Sequence, residues 1–563
     1  MKLAPLSALL LTLACVGSAA EPMKLPRVTS AQVDWPAVAE ALAGHEALQI
    51  PENAAQARTG PSGVPAALRP PLARLNAAMA NRFPGIAQSP VPVLLPFDVT
   101  ALLRDQAQGV AATDPAQYLS GFHASTFFYP GPSGYDAAFA IQTRDIPELA
   151  DIKHPEPIRV QISGSVLLYH LDGAAQVQGS PVSDLEASFP GIRRMIHEHR
   201  LRYTFVRFGV PYTVQITCID AGVTRYRMPT CRAAEQVAMR FLRALQIAGG
   251  TPQRTRPIKS LPIERPAKLS QSFTYFGPGQ LLPDTTFRGR GGRPDHTVYS
   301  QIRFPLADAP AFANSQMYQS RNRTPQAEPG VSPNYAYPWR DNFCERRGFS
   351  VGQCPAGIGH QGQDIRTPQC RPAPGQDRCE QRDDLVAVRG GVILREPQQE
   401  AAYLIVNSAS EHIRFRYLHM HPRKMDEDNL LSGRRVHEGE VIGQMSNYSK
   451  KEGGTSYHLH FDVQVPTQHG WVFVNPYMTL VAAYERLIGE RGVELSDPAS
   501  LAVADEDDPP AAKSRARGAS RAAWQKQSQR AKVAKRAPQR QRSAASSYRS
   551  TINCDMRGCY PIR

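Results

Sequence analysis

The sequence predicts a multidomain chain. A strand-bearing domain is expected over residues 331–490, preceded by an α+β unit over 97–250, with disordered linkers and a disordered tail. Three observations predict this. At 563 residues the chain is too long for one core. Its hydrophobic content of 42% suffices for real cores, while 49 prolines and 41 glycines point to long connections. Strand-like alternation recurs in two separate stretches.

Residues 1–20 read as a secretory signal: Lys2 gives the positive start, Leu3 to Leu13 the apolar run, and Ser18-Ala19-Ala20 a small-residue cleavage site. The apolar run is too short to span a bilayer as a helix. Lipoprotein anchoring through Cys15 is the weaker reading, because Thr12-Leu13-Ala14 is a poor lipid-attachment motif. Without Cys15, eight cysteines remain in close pairs: Cys218 with Cys231, Cys344 with Cys354, Cys370 with Cys379, and Cys554 with Cys559. In an exported chain such pairs suggest disulfides.

Residues 21–96 are rich in Ala and Pro and read as a spacer with a short helix near Val38 to Leu48; prolines at 61, 65, 70, 71, 84, 90, 92 and 96 break any longer element. In the α+β unit, Ile158 to Tyr169 alternates as a half-buried strand, and Arg202–Phe208 and Tyr212–Cys218 flank Gly209 as a hairpin. Ala233 to Ile247 has helical spacing, and a Cys218–Cys231 bridge would staple its start to the hairpin. His197-Glu198-His199 has no nearby H-x-x-x-D partner and reads as a solvated helix or loop. Residues 251–330 form a linker in which Arg288 to Arg293 is a Gly/Arg loop without the strand or helix that phosphate binding needs. Thr479 to Arg491 reads as a closing helix.

The net charge of +15 is uneven. From 511 to 563 fourteen Lys and Arg face one acid, so this tail carries +13 and the remainder only +2. The tail, counted as 491–563, is too polar to fold alone and ends in a Cys554–Cys559 loop expected to be a disulfide.

The chemistry-bearing residues cluster between Ile358 and Val463. They are Gly359-His360-Gln361-Gly362-Gln363-Asp364, Tyr417-Leu418-His419-Met420-His421 and Tyr457-His458-Leu459-His460-Phe461-Asp462. Imidazoles and carboxylates in this pattern suit a catalytic zinc, which takes three protein ligands and leaves one position open. Three H-x-H pairs exist, at 197/199, 419/421 and 458/460, so spacing alone does not choose among them. A strand from Tyr457 to Val465 would set His458, His460 and Asp462 on one face.

These motifs, with Val386-Ala387, Gly390-Gly391-Val392 and Gly433 to Gly443 in the same order, resemble the lysostaphin/LytM-type zinc metallopeptidases over roughly residues 331–480. The resemblance implies a predominantly antiparallel β fold for residues 331–490 and an exported zinc metalloendopeptidase that hydrolyses peptide cross-links of bacterial peptidoglycan through a zinc-activated water. It implies one Zn2+ per chain, with His360, Asp364 and His460 as metal ligands and His419 and His458 as catalytic, non-ligand histidines. His421, His412, His437 and His469 match no family position, and Asp462 has no assigned role. The chain departs from the pattern in an insertion between Asp364 and Val386 carrying Cys370 and Cys379, and in a charged segment with Lys450, Lys451 and Glu452. The alternative implied by family members that have lost their ligands is a catalytically silent wall-binding protein that activates or scaffolds other hydrolases. The expected location is the periplasm or cell envelope. The expected partners are peptidoglycan, an anionic wall or membrane surface met by the basic tail, and a divisome or hydrolase partner met by 97–250, with no nucleic acid.

Overall fold

The computed structural model describes residues 23–495, less gaps at 44–47, 49–63, 110–114, 172–178, 198–199, 220–227, 254–257, 260–261, 280, 282–296, 316–332, 348–350, 352–353, 355–357, 369–382, 396–398 and 450, and also 552–555 and 558–561. It divides into a unit Met1–Pro498 and a unit Ala499–Arg563. The expected signal, the Arg288–Arg293 loop, the Cys370/Cys379 insertion and most of the basic tail lie outside the described residues. In the second unit, Ile552–Asp555 pairs antiparallel with Gly558–Pro561, setting Cys554 opposite Cys559.

The first unit is β-rich and is built on two antiparallel sheets, each with its own core. The first sheet has seven strands in the order His123–Gly131, Gly134–Ile141, Ile158–Ser165, Val210–Thr217, Arg200–Arg207, Arg193–His197 and Ser180–Pro181. Period-2 alternation sends Tyr135, Phe139, Leu201, Tyr203, Tyr212 and Val214 into one core. There they meet helix Cys231–Arg243, whose N-cap Thr230 accepts from Ala233 N and whose start is tied by the Cys218–Cys231 disulfide. The hairpin turn at Phe208-Gly209 has φ values of 53° and 72°, the left-handed pair a tight two-residue turn requires.

Several sequence expectations change here. Residues 21–96 are more than a spacer. Helices Trp35–Ala43 and Arg69–Met79 bury Trp35, Val38, Leu72, Leu75 and Met79 in the first core. Pro70 and Pro71, expected to break any helix, stand at the first turn of Arg69–Met79, where a missing N–H costs little. The expected strand from Ile158 to Tyr169 is two strands, Ile158–Ser165 and Leu167–His170. The helix expected over 233–247 stops at Arg243, and Gln246–Gly249 pairs instead with Val93–Leu95. His197 ends a strand rather than lying in a helix or loop.

The second sheet has eight strands. Phe312–Ala313, Gln363–Arg366, Leu459–Thr467, His412–Leu418, Ala401–Asn407, Gly391–Leu394 and Arg435–Val436 lie in that order, and Gly470–Val474 pairs with Leu459–Thr467. Alternation sends Leu459, Phe461, Val463, Ile413, Phe415 and Tyr417 into the second core. Each such side chain removed from water contributes about 1.5–3 kcal/mol. The linker expected over 251–330 also contributes to this core: Phe273, Tyr275, Tyr299 and Phe304 are buried in it, and Leu269–Phe276 pairs in parallel with Arg491–Leu495. The closing helix runs from Tyr477 to Ile488 and ends at Gly489, at φ 71°.

The same alternation leaves a second, polar face on each sheet, and these two faces meet. Asp136 accepts from Arg414 Nη2 at 2.5 Å and lies 2.9 Å from His412 Nε2. Arg202 donates to the Trp471 carbonyl at 2.6 Å and to Gln464 Oε1 at 3.2 Å. Asn407 bonds to Ser133 N and to the Gly134 carbonyl. A small apolar cluster of Phe127, Ala138, Leu394, Tyr403 and Ile405 completes the contact. At Gly470 a Cβ would stand 2.6 Å from Thr204 Cγ2, so the approach needs glycine. The 97–250 unit is therefore fixed to the polar face of the second sheet, which is also the face that bears His460.

Candidate metal centre

Antiparallel pairing of Gln363–Arg366 with Leu459–Thr467 sets Asp364 directly opposite His460. His360 arrives from the turn before this strand, and its backbone is pinned on both sides: Cys344 N donates to the His360 carbonyl and His360 N donates to the Glu345 carbonyl, each at 2.8 Å. The Cys344–Cys354 disulfide packs against Phe343 and Phe473 just beneath, bracing this approach. Gly362 permits the convergence, because a Cβ there would lie 2.5 Å from the Phe461 carbonyl and 2.9 Å from His460 Nε2.

The ligand atoms of His360, Asp364 and His460 all lie within 4.8 Å of one another and all three residues are buried. His360 Nε2 is 2.9 Å from His460 Nδ1, and Asp364 Oδ1 is 3.3 Å from the first and 3.2 Å from the second. Asp364 Oδ2 is buried without a hydrogen-bond partner. His458 Nε2 lies 3.4 Å from Asp364 Oδ1, and its ring is 4.7 Å from that of His419. His419 alone of these five is partly exposed, and it sits at φ 71°, a left-handed conformation uncommon for a side-chain-bearing residue. That conformation is held by Ser446, whose N and Oγ both donate to the His419 carbonyl.

The outward nitrogens decide what the inward ones can do. His360 Nδ1 is 2.9 Å from the Asn342 carbonyl, His419 Nδ1 is 2.9 Å from the Tyr448 carbonyl, and His458 Nδ1 is 2.7 Å from the Ser456 carbonyl. A carbonyl only accepts, so each Nδ1 carries the proton and each Nε2 presents a lone pair inward. Burial pulls His360 and His458 below the ordinary imidazole value, and burial followed by His458 and His460 holds His419 well below it. All three are neutral at pH 7. Burial alone would raise Asp364, but His360 and His458 outweigh it and hold the carboxyl well below its usual range.

His460 is oriented differently. Its Nδ1 faces inward, and its Nε2 lies 3.4 Å from Asp462 Oδ2. Burial opposes charge on this ring, yet Asp364 and then Asp462 outweigh it and push it up to about 9. Asp462 is in turn bonded by Arg416 Nε, and its Oδ1 accepts from Gln464 Nε2 at 3.2 Å. A carboxylate behind a ligating imidazole is the usual support of a histidine–zinc bond. The inward lone pair of His360, an ionised carboxylate with an unpartnered oxygen, and the inward Nδ1 of His460 lie at one buried point and fit a divalent cation, which would displace the proton that His460 carries at pH 7. Two imidazole nitrogens and one oxygen also suit zinc better than calcium or magnesium.

The structure thus brings together His360, Asp364, His419, His458 and His460. It leaves His421 at the rim, 3.7 Å from Glu452 Oε1. His437 is exposed, His469 lies beside Gln468, and His412 is buried against Asp136. Asp462 and Asn342 had no sequence-based role. Asp462 was readable as a third polar residue on the His458/His460 face. Asn342, whose carbonyl holds His360 and whose Oδ1 accepts from Asp364 N, carries no local signal.

No family model and no curated protein matches the chain. Among solved structures, a Ruminococcus gnavus protein assigned as a glycyl-glycine endopeptidase LytM is 21% identical, covering 24% of this chain and 51% of its own, with a TM-score of 0.18. Csd3 of Helicobacter pylori is 12% identical, covering 69% of this chain and 58% of its own, with a TM-score of 0.14. The chain therefore spans about half of the first and under three-fifths of the second. At these TM-scores neither likeness carries an argument about this chain.

Proposed function

We propose that the chain is an exported zinc metalloendopeptidase that hydrolyses peptide cross-links of bacterial peptidoglycan, with His360, Asp364 and His460 as the ligands. The observation that carries this is the set of inward lone pairs on tethered, neutral imidazoles around the Asp364 carboxylate. Zinc bound there supplies a Lewis acid for the substrate carbonyl and lowers the pKa of water.

The chain's own residues do the rest. His419 Nε2 and His458 Nε2, both unprotonated, are placed to accept a proton from the attacking water and to return one to the departing amine. After accepting that proton, either imidazolium can hydrogen-bond the oxyanion that forms at the carbonyl. The Nδ1 tethers keep both rings in the tautomer this requires. Cysteines paired as disulfides, at Cys218–Cys231 and Cys344–Cys354, support an oxidising, exported setting. The choice of substrate class rests on the motif resemblance described above.

The burial of His360, Asp364, His458 and His460 favours a second reading, that of a wall-binding protein whose site stays closed to peptide. Purified full-length protein loaded with zinc and incubated with purified peptidoglycan separates the two. New amine termini in the released muropeptides support the peptidase. Intact peptidoglycan that still retains the protein in a pull-down supports the silent binder.

A further inference from the structure

The polar support behind His460 does not end within its own sheet. Alternation along Leu459–Thr467 puts His460, Asp462 and Gln464 on one face, and Arg202, from the strand Arg200–Arg207 of the other sheet, closes the row. The row joins an ion-pair contact, His460 Nε2 to Asp462 Oδ2 at 3.4 Å, to two hydrogen bonds, Gln464 Nε2 to Asp462 Oδ1 at 3.2 Å and Arg202 Nη2 to Gln464 Oε1 at 3.2 Å. Arg202 Nη1 is anchored at 2.6 Å on the Trp471 carbonyl, and its Nη2 also reaches Gln215 Oε1 at 3.5 Å. All four side chains of the row are buried.

Direction matters in this row. A Gln amide can donate to Asp462 only from its nitrogen, which requires its oxygen to point the other way, toward Arg202. Arg has no acceptor, so Arg202 selects that amide orientation and no other. Without Arg202 the Gln464 oxygen would be a buried acceptor with no donor and the amide would be free to turn. Asp462 Oδ1 would then face an acceptor oxygen, while Oδ2 keeps its contacts with Arg416 and His460. An Asp462 carboxylate displaced in this way no longer fixes the ring orientation or tautomer of His460.

We propose that Arg202, a residue of the 97–250 unit, is a positioning residue for the metal centre, acting through Gln464 and Asp462 on His460. The docked unit thereby forms the outer part of the metal site rather than a separate attachment. This inference rests on the reading of His360, Asp364 and His460 as metal ligands.

The test is zinc affinity of the full chain, measured by competition with a chromophoric chelator, for wild type, Arg202→Met, Gln464→Met and their double variant. Asp136→Asn serves as a control, since it breaks the same sheet-to-sheet contact away from the row. The expected result is a loss of roughly tenfold in zinc affinity for each single variant, at the low end for outer-shell partners. The double variant should lose no more than either single, and Asp136→Asn should keep wild-type affinity. Unchanged affinity in folded Gln464→Met overturns the proposal even if Arg202→Met does not fold. An equal loss in Asp136→Asn overturns it too, since loosened docking would then suffice. A wild type that binds no zinc overturns instead the metal-site reading on which the proposal stands.

Discussion

His412 and Asp136, 276 residues apart in the chain, meet at 2.9 Å in a layer closed to solvent between the two sheets. Arg414 Nη2 shares the same carboxylate at 2.5 Å. Burial alone would push Asp136 up, but Arg414 and then His412 outweigh it and hold the carboxyl below its ordinary value. A carboxylate whose folded pKa is depressed adds stability above its unfolded value and loses it as pH falls through the folded one. Denaturant midpoints measured across acid pH should therefore fall below about pH 4 in the wild type. Asp136→Asn should show a lower midpoint at pH 7 and a flatter acid limb. Removing the carboxylate leaves the buried Arg414 guanidinium without its counter-charge, which typically costs about 3–5 kcal/mol. A variant as stable as wild type at pH 7 would show that the contact contributes nothing.

The same layer predicts the fate of an excised 331–490 fragment. Cutting away the first sheet exposes Tyr403, Ile405 and Leu394 and leaves Arg414 without Asp136. It also removes the segments 262–279 and 297–315, which bury Phe273, Tyr275, Tyr299 and Phe304 in the second core, and it removes Arg265, which grips the buried Glu485 at 2.7 and 2.6 Å. The expected outcome is aggregation or loss of cooperative unfolding, followed by gel filtration and thermal melts. A monodisperse fragment with a sharp melt would contradict the interlocked packing seen here.

Gly362 offers a sharper local test. A Cβ there meets the Phe461 carbonyl at 2.5 Å and His460 Nε2 at 2.9 Å. Neither can yield without moving the strand or turning the ring. Gly362→Ala should keep its fold, since the clash lies at one strand end, yet lose zinc by at least about tenfold, the scale of a disturbed ligand shell. Zinc titration beside a circular dichroism spectrum would decide this. Retained affinity would show that the ring is free to reorient.

How far the sequence discloses this molecule depends on the range of each physical signal. The alternation of Tyr457 to Val465 is local, and it places His460 and Asp462 on one face as expected. The same rule applied to His412, Arg414 and Arg416 gives a polar face, but whether that face meets water or another sheet depends on residues more than 270 positions away. Asp136 therefore carries no sign of its role. The helix Arg69–Met79 was hidden for a different reason. Pro70 and Pro71 read as breakers, and only the start of the helix at Arg69 shows that they occupy its first turn. Asn342 acts through its backbone carbonyl, which any residue type would supply, so its side-chain identity signals only the bond to Asp364 N.

His419, outside the ligand set, should separate cleanly from His460 within it. His460→Ala removes an inward nitrogen from the centre and should abolish both zinc binding and cleavage of peptidoglycan. His419 Nδ1 is tied to the Tyr448 carbonyl, and the ligand atoms that converge within 4.8 Å are those of His360, Asp364 and His460. His419→Ala should therefore keep zinc within about threefold, well short of the 10–100-fold cost of losing an outer-shell partner of a ligand. The same variant should lose about 10²–10⁴ in cleavage rate, the range for removing a positioned acid–base group. His419→Gln keeps a donor but offers no nitrogen that can take a proton. Recovery of rate in Gln would mean that the ring works by hydrogen bonding to the oxyanion, and continued loss would mean that it carries the proton. If His419→Ala loses zinc as completely as His460→Ala does, His419 is a ligand and the division of labour drawn here is wrong.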